Sequence, residues 1–306
     1  VQGEGKDFPL LSLAEQLSLP EWLWQRFVEQ GGEEEAARLG ESLNQPASVD
    51  LRVNLLRATR EGVLSALATA GISAVATPHA STGVRLVQRQ PLGGLESFKQ
   101  GWFEIQDEGS QLIAPLLAPR PGALVVDLCA GGGGKTLHLA ALMQNRGTIW
   151  AADLSGQRLA RLGARAKRAG VKIIRPVVLR HERDPKLKGL EGKADAVLVD
   201  APCSGTGTLR RRPEIKWQLP SSQVEAYHYR QCALLEAGAR LTRPGGRLLY
   251  CTCSLLQREN QSVASAFLQD NKNFRIRQVE GMENLILLPH QTQTDGFFAV
   301  LFERRV

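Results

Sequence analysis

The fold of this chain follows from one stretch, Ala123-Leu-Val-Val-Asp-Leu-Cys-Ala-Gly-Gly-Gly-Gly-Lys-Thr136. Val125 and Val126 belong to a short apolar run of the kind that a parallel sheet buries on both faces. Asp127 stands at the carboxyl end of that predicted strand. The glycines from Gly131 to Gly134 let the backbone approach a ligand closely, because no Cβ blocks the way. A helical pattern follows, so the stretch predicts a nucleotide-type cradle of strand, glycine loop and helix N-terminus.

Three interpretations of the glycine loop are open. A phosphate-binding loop has the pattern G-x-x-x-x-G-K-[ST], and counting back from Gly134 puts its first glycine on Cys129, so one position fails. A methyl-donor or dinucleotide site needs an acid after the next strand to bind ribose hydroxyls. Asp153 lies 19 residues after Gly134, close to the spacing of about 20 that such sites show. The third interpretation is a structural turn without a ligand.

Composition narrows the class of protein. The chain has 306 residues, 43% hydrophobic and 23% charged, which is typical of soluble globular proteins and long enough for two domains. No apolar run approaches about 18 residues and no secretory signal is visible, so we expect no membrane span. The net charge of +7 favours an anionic partner such as nucleic acid. The five cysteines and five histidines lack metal-ligand spacing, and the cysteines show no disulfide framework, so we expect no metal and a reducing, cytoplasmic compartment. We also expect a monomer.

The order of predicted elements divides the chain into three parts. Residues 1–46 are predicted to be a helical segment. Residues 47–115 carry strand, helix and two further strands with interspersed arginines, which predicts a small α+β subdomain suited to RNA contact. Over residues 116–306, strands alternate with helices, which indicates a parallel sheet with helices on both faces. The predicted strands of this part are 123–127, 148–153, 173–179, 196–200, 247–251 and 297–303.

Two of those strands end in cysteine-containing loops, Asp200-Ala-Pro-Cys-Ser204 and Tyr250-Cys-Thr-Cys-Ser254. Reactive groups of an open α/β sheet collect beyond the carboxyl ends of its strands, so adjacent strands would bring both loops into one pocket. A thiol beside a methyl donor suits methylation of a pyrimidine at carbon 5, because its addition to carbon 6 makes carbon 5 nucleophilic. Asp200 is a candidate to bind the amine and ring nitrogen of cytosine. The alternative is that each cysteine is a small buried hydrophobe.

Four motifs together resemble the Sun-type RNA 5-methylcytosine methyltransferases, most of all their bacterial Fmu/Sun branch of 16S ribosomal RNA methyltransferase B. They span residues 127–136, 200–217, 250–260 and 295–298, and the resemblance runs from about Pro20 to the C-terminus. It implies a Rossmann-like class I methyltransferase fold, with a mostly parallel seven-stranded sheet, an antiparallel last strand, an RRM-like subdomain and N-terminal helices. It further implies a cytosine-C5 methyltransferase that uses S-adenosyl-L-methionine and acts on ribosomal RNA, at a single-stranded or flipped-out cytosine.

The resemblance also implies residue roles. Cys253 would be the nucleophile, and Cys203 would assist breakdown of the covalent adduct; the residues alone do not rank the two. The residues expected to bind S-adenosylmethionine are Cys129, Ala130, Gly131, Gly132, Gly133, Gly134, Lys135, Asp153, His181 and Asp200. His181 occupies the position of a family acid that bonds the adenine amine, and Glu182 and Asp184 are the alternatives for that role. Gly131-Gly132 replaces the family's Ala-Pro, which loosens the loop.

Two basic clusters complete the candidates. Arg210, Arg211, Arg212 and Lys216 precede Trp217, a combination that suits an RNA phosphate backbone and a stacked base. The predicted helix after Asp153 carries a second cluster, for which a solvated face is the alternative: Arg158, Arg161, Arg165, Lys167 and Arg168. Two other functions stay open, a P-loop NTPase with Asp200 on magnesium and an RNA-binding or ribosome-assembly protein with a catalytically weakened methyltransferase domain.

Overall fold

The N-terminal segment is helical, as its pattern predicts. The computed structural model describes residues 11–306, so the prediction for residues 1–10 lies outside the described residues. The helices are α1 (Leu13–Gln16), α2 (Glu21–Gly31) and α3 (Glu33–Leu43). Leu23 and Phe27 of α2 are buried in a cluster that includes Leu255 and Leu256. The segment therefore packs directly behind the loop that carries Cys253.

The small α+β unit is built on an antiparallel sheet. Its elements are β1 (Asp50–Val53), α4 (Arg60–Thr69), β2 (Ala74–Ala76), β3 (Gly83–Leu86), α5 (Glu96–Lys99) and β4 (Phe103–Ile105), with strand order β2-β3-β1-β4. Leu51, Val63, Leu67 and Phe103 are fully or almost fully buried between sheet and helices. The domain boundaries at residues 46/47 and 115/116 stay a prediction.

The remainder of the chain alternates strands with helices. Its elements are α6 (Glu108–Leu117), β5 (Leu124–Asp127), α7 (Gly134–Leu142), β6 (Thr148–Asp153), α8 (Gly156–Ala169), β7 (Ile174–Val178), β8 (Ala194–Asp200), α9 (Ile215–Gln218), α10 (Ser222–Leu241), β9 (Thr242–Thr252), α11 (Gln261–Asp270), β10 (Phe274–Ile276), β11 (Asn284–Leu287), α12 (Pro289–Thr292) and β12 (Phe297–Arg304). The caps of α8 follow from sequence. The Ser155 side chain accepts a hydrogen bond from the amide of Arg158, and Gly170 ends the helix in the left-handed region.

The large sheet has the order β10-β12-β9-β8-β5-β6-β7. Strands β5 to β9 run parallel, and β12 is antiparallel to β9, as expected for the last strand. The predicted count of seven strands is corrected to eight. β10 and β11 both pair with β12, β10 near its carboxyl end (Phe274 opposite Arg304) and β11 near its amino end (Asn284 opposite Val300), so the two short strands together fill the seventh position.

The topology decides where a ligand can bind. From β5 the chain proceeds outward through β6 and β7, and then returns to the other side of β5 as β8 and β9. A crevice forms where strand order reverses, at the carboxyl ends of β5 and β8. Val125 and Val126 lie on either side of the sheet at its centre, each with no exposed surface. Within residues 11–306, no helix has the length and apolar composition needed to cross a bilayer.

Candidate active site

A cleft of about 930 Å³ opens at this switch point. Most of the predicted site residues line it: Cys129, Ala130, Gly131, Gly132, Gly134, Lys135, Asp153, Asp200, Cys203, Arg212 and Cys253. Loops after β5, β6, β8 and β9 therefore converge as the strand-end argument predicts. Leu128, Leu154, Leu179 and Leu219 add an apolar surface.

The two candidate catalytic cysteines lie side by side in this cleft. Their sulfur atoms are 3.4 Å apart, and both thiols are free and half-buried. β8 and β9 are parallel neighbours with Asp200 opposite Cys251, so the loops that follow them are adjacent. The hydrogen bond to Cys253, together with burial, raises the pKa of the Cys203 thiol well above its ordinary value. Cys203 is therefore held as a thiol that can donate to Cys253.

Glu259 connects the two cysteine loops, a role that sequence reasoning did not assign. Its carboxylate accepts hydrogen bonds from the amide of Ser204 (2.8 Å) and from the hydroxyls of Ser204 and Ser254 (2.5 Å each). Gln231 donates a further bond of 3.0 Å. The only early signal was the position of Glu259 within the matched motif, which gives no indication of these partners.

Lys135 and Asp200 form an ion pair at the base of the cleft, with Nζ 2.8 Å from Oδ2. Burial disfavours the charged lysine, but the attraction of Asp200 outweighs it and the pKa of Lys135 is raised. The other carboxylate oxygen of Asp200 accepts a bond from the buried Cys251 thiol at 3.4 Å. The pair thus keeps a carboxylate in place beside the two reactive sulfurs.

The glycine loop adopts a conformation that only small residues allow. Gly133 has φ of 86°, and a Cβ there would lie 2.1 Å from Cδ1 of Leu162. The amide of Gly131, at φ 54°, donates a 2.9 Å hydrogen bond to Oδ2 of Asp153. Gly133 therefore shapes the loop without lining the cleft, whereas Gly131 and Asp153 meet within it.

Two arginines hold the loop from outside. Arg165 donates to the carbonyl of Gly132, and the almost fully buried Arg52 donates to the carbonyl of Gly134, each over 2.5 Å. Burial lowers the pKa of Arg52 to about 9, so it still carries its charge at neutral pH. These contacts limit the flexibility expected of Gly131-Gly132. The sequence did not predict the contact of Arg52, because this residue lies in β1, 82 residues before Gly134.

The residues present suit S-adenosylmethionine. Asp127 is buried, its Oδ2 accepts a 2.7 Å bond from Thr136, and its Oδ1 has no partner among the described residues. Burial raises the pKa of this carboxyl to about 7. An unpartnered polar atom beneath a glycine loop, the acid Asp153 at the end of β6 and the apolar wall match a nucleoside with a charged tail.

The geometry favours Glu182 over His181 for the predicted contact with the adenine amine. His181 is exposed, and it is Glu182 that lines the cleft. Asp184, the other alternative, is buried and caps the next turn by accepting from the amides of Arg180 and Lys186. The physical reason is the tight turn after β7, which directs the side chain of residue 182 inward and that of residue 181 to solvent.

The geometry separates the members of the predicted RNA-binding basic run. Arg211 pairs with Asp107 (2.8 Å) and Asp295 (2.6 Å), Arg210 is almost buried beside Asp295, and Lys216 donates to Asn44. These three cations hold the chain's own elements together instead of facing RNA. Arg212 is the member of the run that lines the cleft, and its side chain is 64% exposed.

Comparisons with known proteins agree with this geometry. Residues 114–303 match a family described as 16S rRNA methyltransferase RsmB/F, and residues 19–93 match the ferredoxin-like domain of RsmF/B-like methyltransferases. The "Probable ribosomal RNA small subunit methyltransferase B" of Synechocystis sp. is 36% identical over 300 residues, which cover 94% of this chain and 67% of that protein. The chain thus spans about two thirds of the length of such relatives.

Two solved structures are similar along most of the chain. The structure of PH0851 is 35% identical with a TM-score of 0.92, over 98% of this chain and 70% of that one. A methyltransferase homolog protein from Pyrococcus horikoshii is 27% identical with a TM-score of 0.84, over 95% and 97% of the two chains. Both likenesses extend through the small antiparallel sheet as well as the large one, since nearly all of this chain is covered.

Proposed function

The chain belongs to the RsmB/F family of 16S rRNA methyltransferases, and we propose that it methylates carbon 5 of a cytosine in small-subunit ribosomal RNA. The observation that carries the proposal is the 3.4 Å separation of the Cys203 and Cys253 sulfurs in the cleft beside the glycine loop. S-adenosylmethionine, the cofactor of this family, supplies an electrophilic methyl group. Membership in the family excludes the P-loop NTPase alternative.

The chemistry needs a nucleophile because carbon 5 of cytosine is itself a poor one. The Cys253 thiolate adds to carbon 6, and the resulting enamine forms a bond from carbon 5 to the methyl group. The S–CH3 bond of the donor breaks in the same step, and its electron pair stays on the donor sulfur. The proton on carbon 5 then leaves to a base, and the electron pair of that C–H bond expels the Cys253 thiolate. The net change is one hydrogen on carbon 5 replaced by one methyl group, with one proton released.

The arrangement of the two sulfurs supports assigning the attack to Cys253, with Cys203 beside it to assist the release of the product. The raised pKa of Cys203 keeps it a thiol, and its S–H is placed to donate to the neighbouring sulfur. The charge of Lys135, close to both loops, adds positive potential.

The remaining residues orient the substrates. Asp200, 30% exposed beside the cysteines, is positioned to accept a hydrogen bond from the exocyclic amine of cytosine. For the cofactor, we assign the ribose hydroxyls to Asp153, the adenine amine to Glu182, and the carboxylate of the tail to the amides of the glycine loop. Arg212, exposed at the mouth of the cleft, is assigned to an RNA phosphate.

Methyl transfer from labelled S-adenosylmethionine to unmodified small-subunit RNA tests the proposal. Wild-type protein should label cytosine carbon 5, and Cys253→Ala should abolish transfer. Cys203→Ala should accumulate a protein–RNA adduct that survives a denaturing gel. Labelling of another position, or full turnover by Cys253→Ala, would contradict the chemistry, and no transfer with intact RNA binding would favour the catalytically weakened alternative.

A further inference from the structure

A second cavity, separate from the cleft, lies between the small sheet and α8. It measures about 610 Å³ and is lined by Arg57, Lys99, Gln100, Trp102, Ala164, Lys167 and Arg168. An adjoining cavity of about 480 Å³ shares Arg57 and Lys167 and adds Lys172. Among the described residues that line the two, none is an aspartate or glutamate. We call the two cavities together the interdomain groove.

The charges of this groove are available to a ligand to different degrees. Arg168 is committed, because it bonds Glu104 at 2.6 Å and covers the ring of Phe98. Arg57, Lys99 and Lys167 are exposed. Trp102 is half-buried at the wall and presents an aromatic side chain among them. Exposed cations around an aromatic side chain suit a phosphate backbone with a stacked base, and the neighbouring carboxylate of Glu104 is already paired with Arg168.

Helix α8 connects the groove to the cleft. Arg158, Arg161, Arg165 and Arg168 recur at intervals of three and four residues, so they lie along one face of the helix. Arg158 and Arg165 line the cleft, and Arg168 lines the groove. The ten residue steps from Arg158 to Arg168 span about 15 Å along the helix, a distance that a few nucleotides cover. Arg165 and Arg168 share the carboxylate of Glu104, at 2.9 and 2.6 Å. Four arginines against this one carboxylate make the face of α8 a basic strip between the cysteine cleft and the interdomain groove.

From this continuity we infer that the interdomain groove binds the RNA backbone that flanks the target nucleotide, with phosphates on Arg57, Lys99 and Lys167 and a base on Trp102. The inference rests on the proposed function, because it is a strand with its target base in the cleft that would continue along α8. A concave groove between two units fits a chain that enters it, whereas a flat anionic membrane surface would meet the rims only.

Two double variants with equal charge change test the groove. Lys99→Glu with Lys167→Glu alters the groove, and Lys193→Glu with Lys272→Glu alters exposed lysines that line neither cavity. Binding to labelled single-stranded small-subunit RNA is measured by fluorescence anisotropy between about 50 and 200 mM salt. The groove variant should bind RNA at least about tenfold more weakly. The slope of log K against log salt concentration should fall in magnitude by about 1.4, because each of the two lost phosphate contacts contributes about 0.7 to it.

The control variant should bind RNA within about threefold of wild type, and both variants should bind S-adenosylmethionine with unchanged affinity. Equal weakening by both variants would show an effect of net charge alone and would overturn the inference, as would wild-type affinity in the groove variant. Binding to anionic phospholipid vesicles that is lost in the groove variant while RNA binding stays would also overturn it.

The two proposals fail separately. If the wild-type protein binds RNA through the groove but transfers no methyl group, the proposed function fails and the groove stands. If it methylates cytosine while the groove variant binds and reacts like wild type, the function stands and the groove fails.

Discussion

Ser204 and Ser254 donate hydrogen bonds to the same oxygen of Glu259, each over 2.5 Å. Each serine directly follows one of the two cysteines in the cleft, so a single carboxylate fixes both loops. Glu259 has no exposed surface, and bonds from a backbone amide and from Gln231 satisfy its other oxygen. The separation of the two sulfurs therefore depends on a residue that touches neither of them.

Replacing Glu259 with Gln should lower kcat for methyl transfer by about ten- to a hundredfold. The NH2 group of the glutamine would face hydrogen-bond donors where a carboxylate oxygen now accepts, so the two cysteine loops would shift. The affinity for S-adenosylmethionine should change less than about twofold, since the glycine loop is untouched. Stability should fall by about 2 kcal/mol from weakened charge-assisted bonds. The control is Glu236→Gln, a half-buried position bonded to Asn271. An equal loss of kcat and of cofactor affinity would indicate general disruption instead of positioning.

The sequence predicted those strands and helices that are specified by their own residues and by the residues next to them. Strands β5, β6 and β8 are apolar runs, and Ser155 and Gly170 mark the ends of α8 by their own chemistry. Strands β4, β10 and β11, each three or four residues long, were not predicted. Their existence depends on pairing with β1 or with β12, which is remote in sequence.

In the site, too, features that follow from local sequence and topology were predicted, and features that depend on distant partners were not. The sequence alone predicted that Cys203 and Cys253 meet, because the topology of an open α/β sheet decides which strand-end loops are neighbours. The arginine run was misinterpreted because its partners are distant, with Asp107 and Asp295 lying 104 and 84 residues from Arg211. A cation's partner is a property of the fold, and no pattern around the cation reveals it.

Alanine substitution of Arg211 should mainly lower stability, whereas alanine substitution of Arg212 should mainly lower RNA affinity. Arg211→Ala leaves two nearly buried carboxylates without their cation and should cost about 2–4 kcal/mol in the free energy of unfolding, measured by urea titration. Arg212→Ala should cost less than about 0.5 kcal/mol, because its pair with Glu214 is exposed. RNA affinity should fall for Arg212→Ala, by about three- to tenfold at low salt. A stable Arg211→Ala protein with lost RNA binding would restore the role expected from sequence.

Glu182 and His181 provide a second matched pair. Glu182→Ala should weaken binding of S-adenosylmethionine by about tenfold, because a carboxylate hydrogen bond to the adenine amine is lost. His181→Ala should bind the cofactor within about twofold, since the imidazole faces solvent. Calorimetric titration of both variants measures the difference. Loss of affinity confined to His181→Ala would mean that the turn after β7 rearranges when the cofactor binds.

Asp127 should make stability depend on pH. Its carboxyl has an ordinary pKa of 3.8, and burial raises the pKa to about 7 in the folded protein. Between these values the folded state holds a proton that the unfolded state has lost, so stability falls as pH rises towards 7 and levels off above it.

The Asp127→Asn variant tests this, because its side chain cannot ionise and its amide oxygen can still accept the bond from Thr136. The free energy of unfolding of the variant minus that of the wild type should therefore increase by about 2–3 kcal/mol from pH 5 to pH 8. Asp295, whose pKa burial raises to about 6, titrates in both proteins and cancels in the comparison. Parallel unfolding curves for the two proteins across this range would mean that Asp127 is already ionised in the folded state and that another group balances its charge.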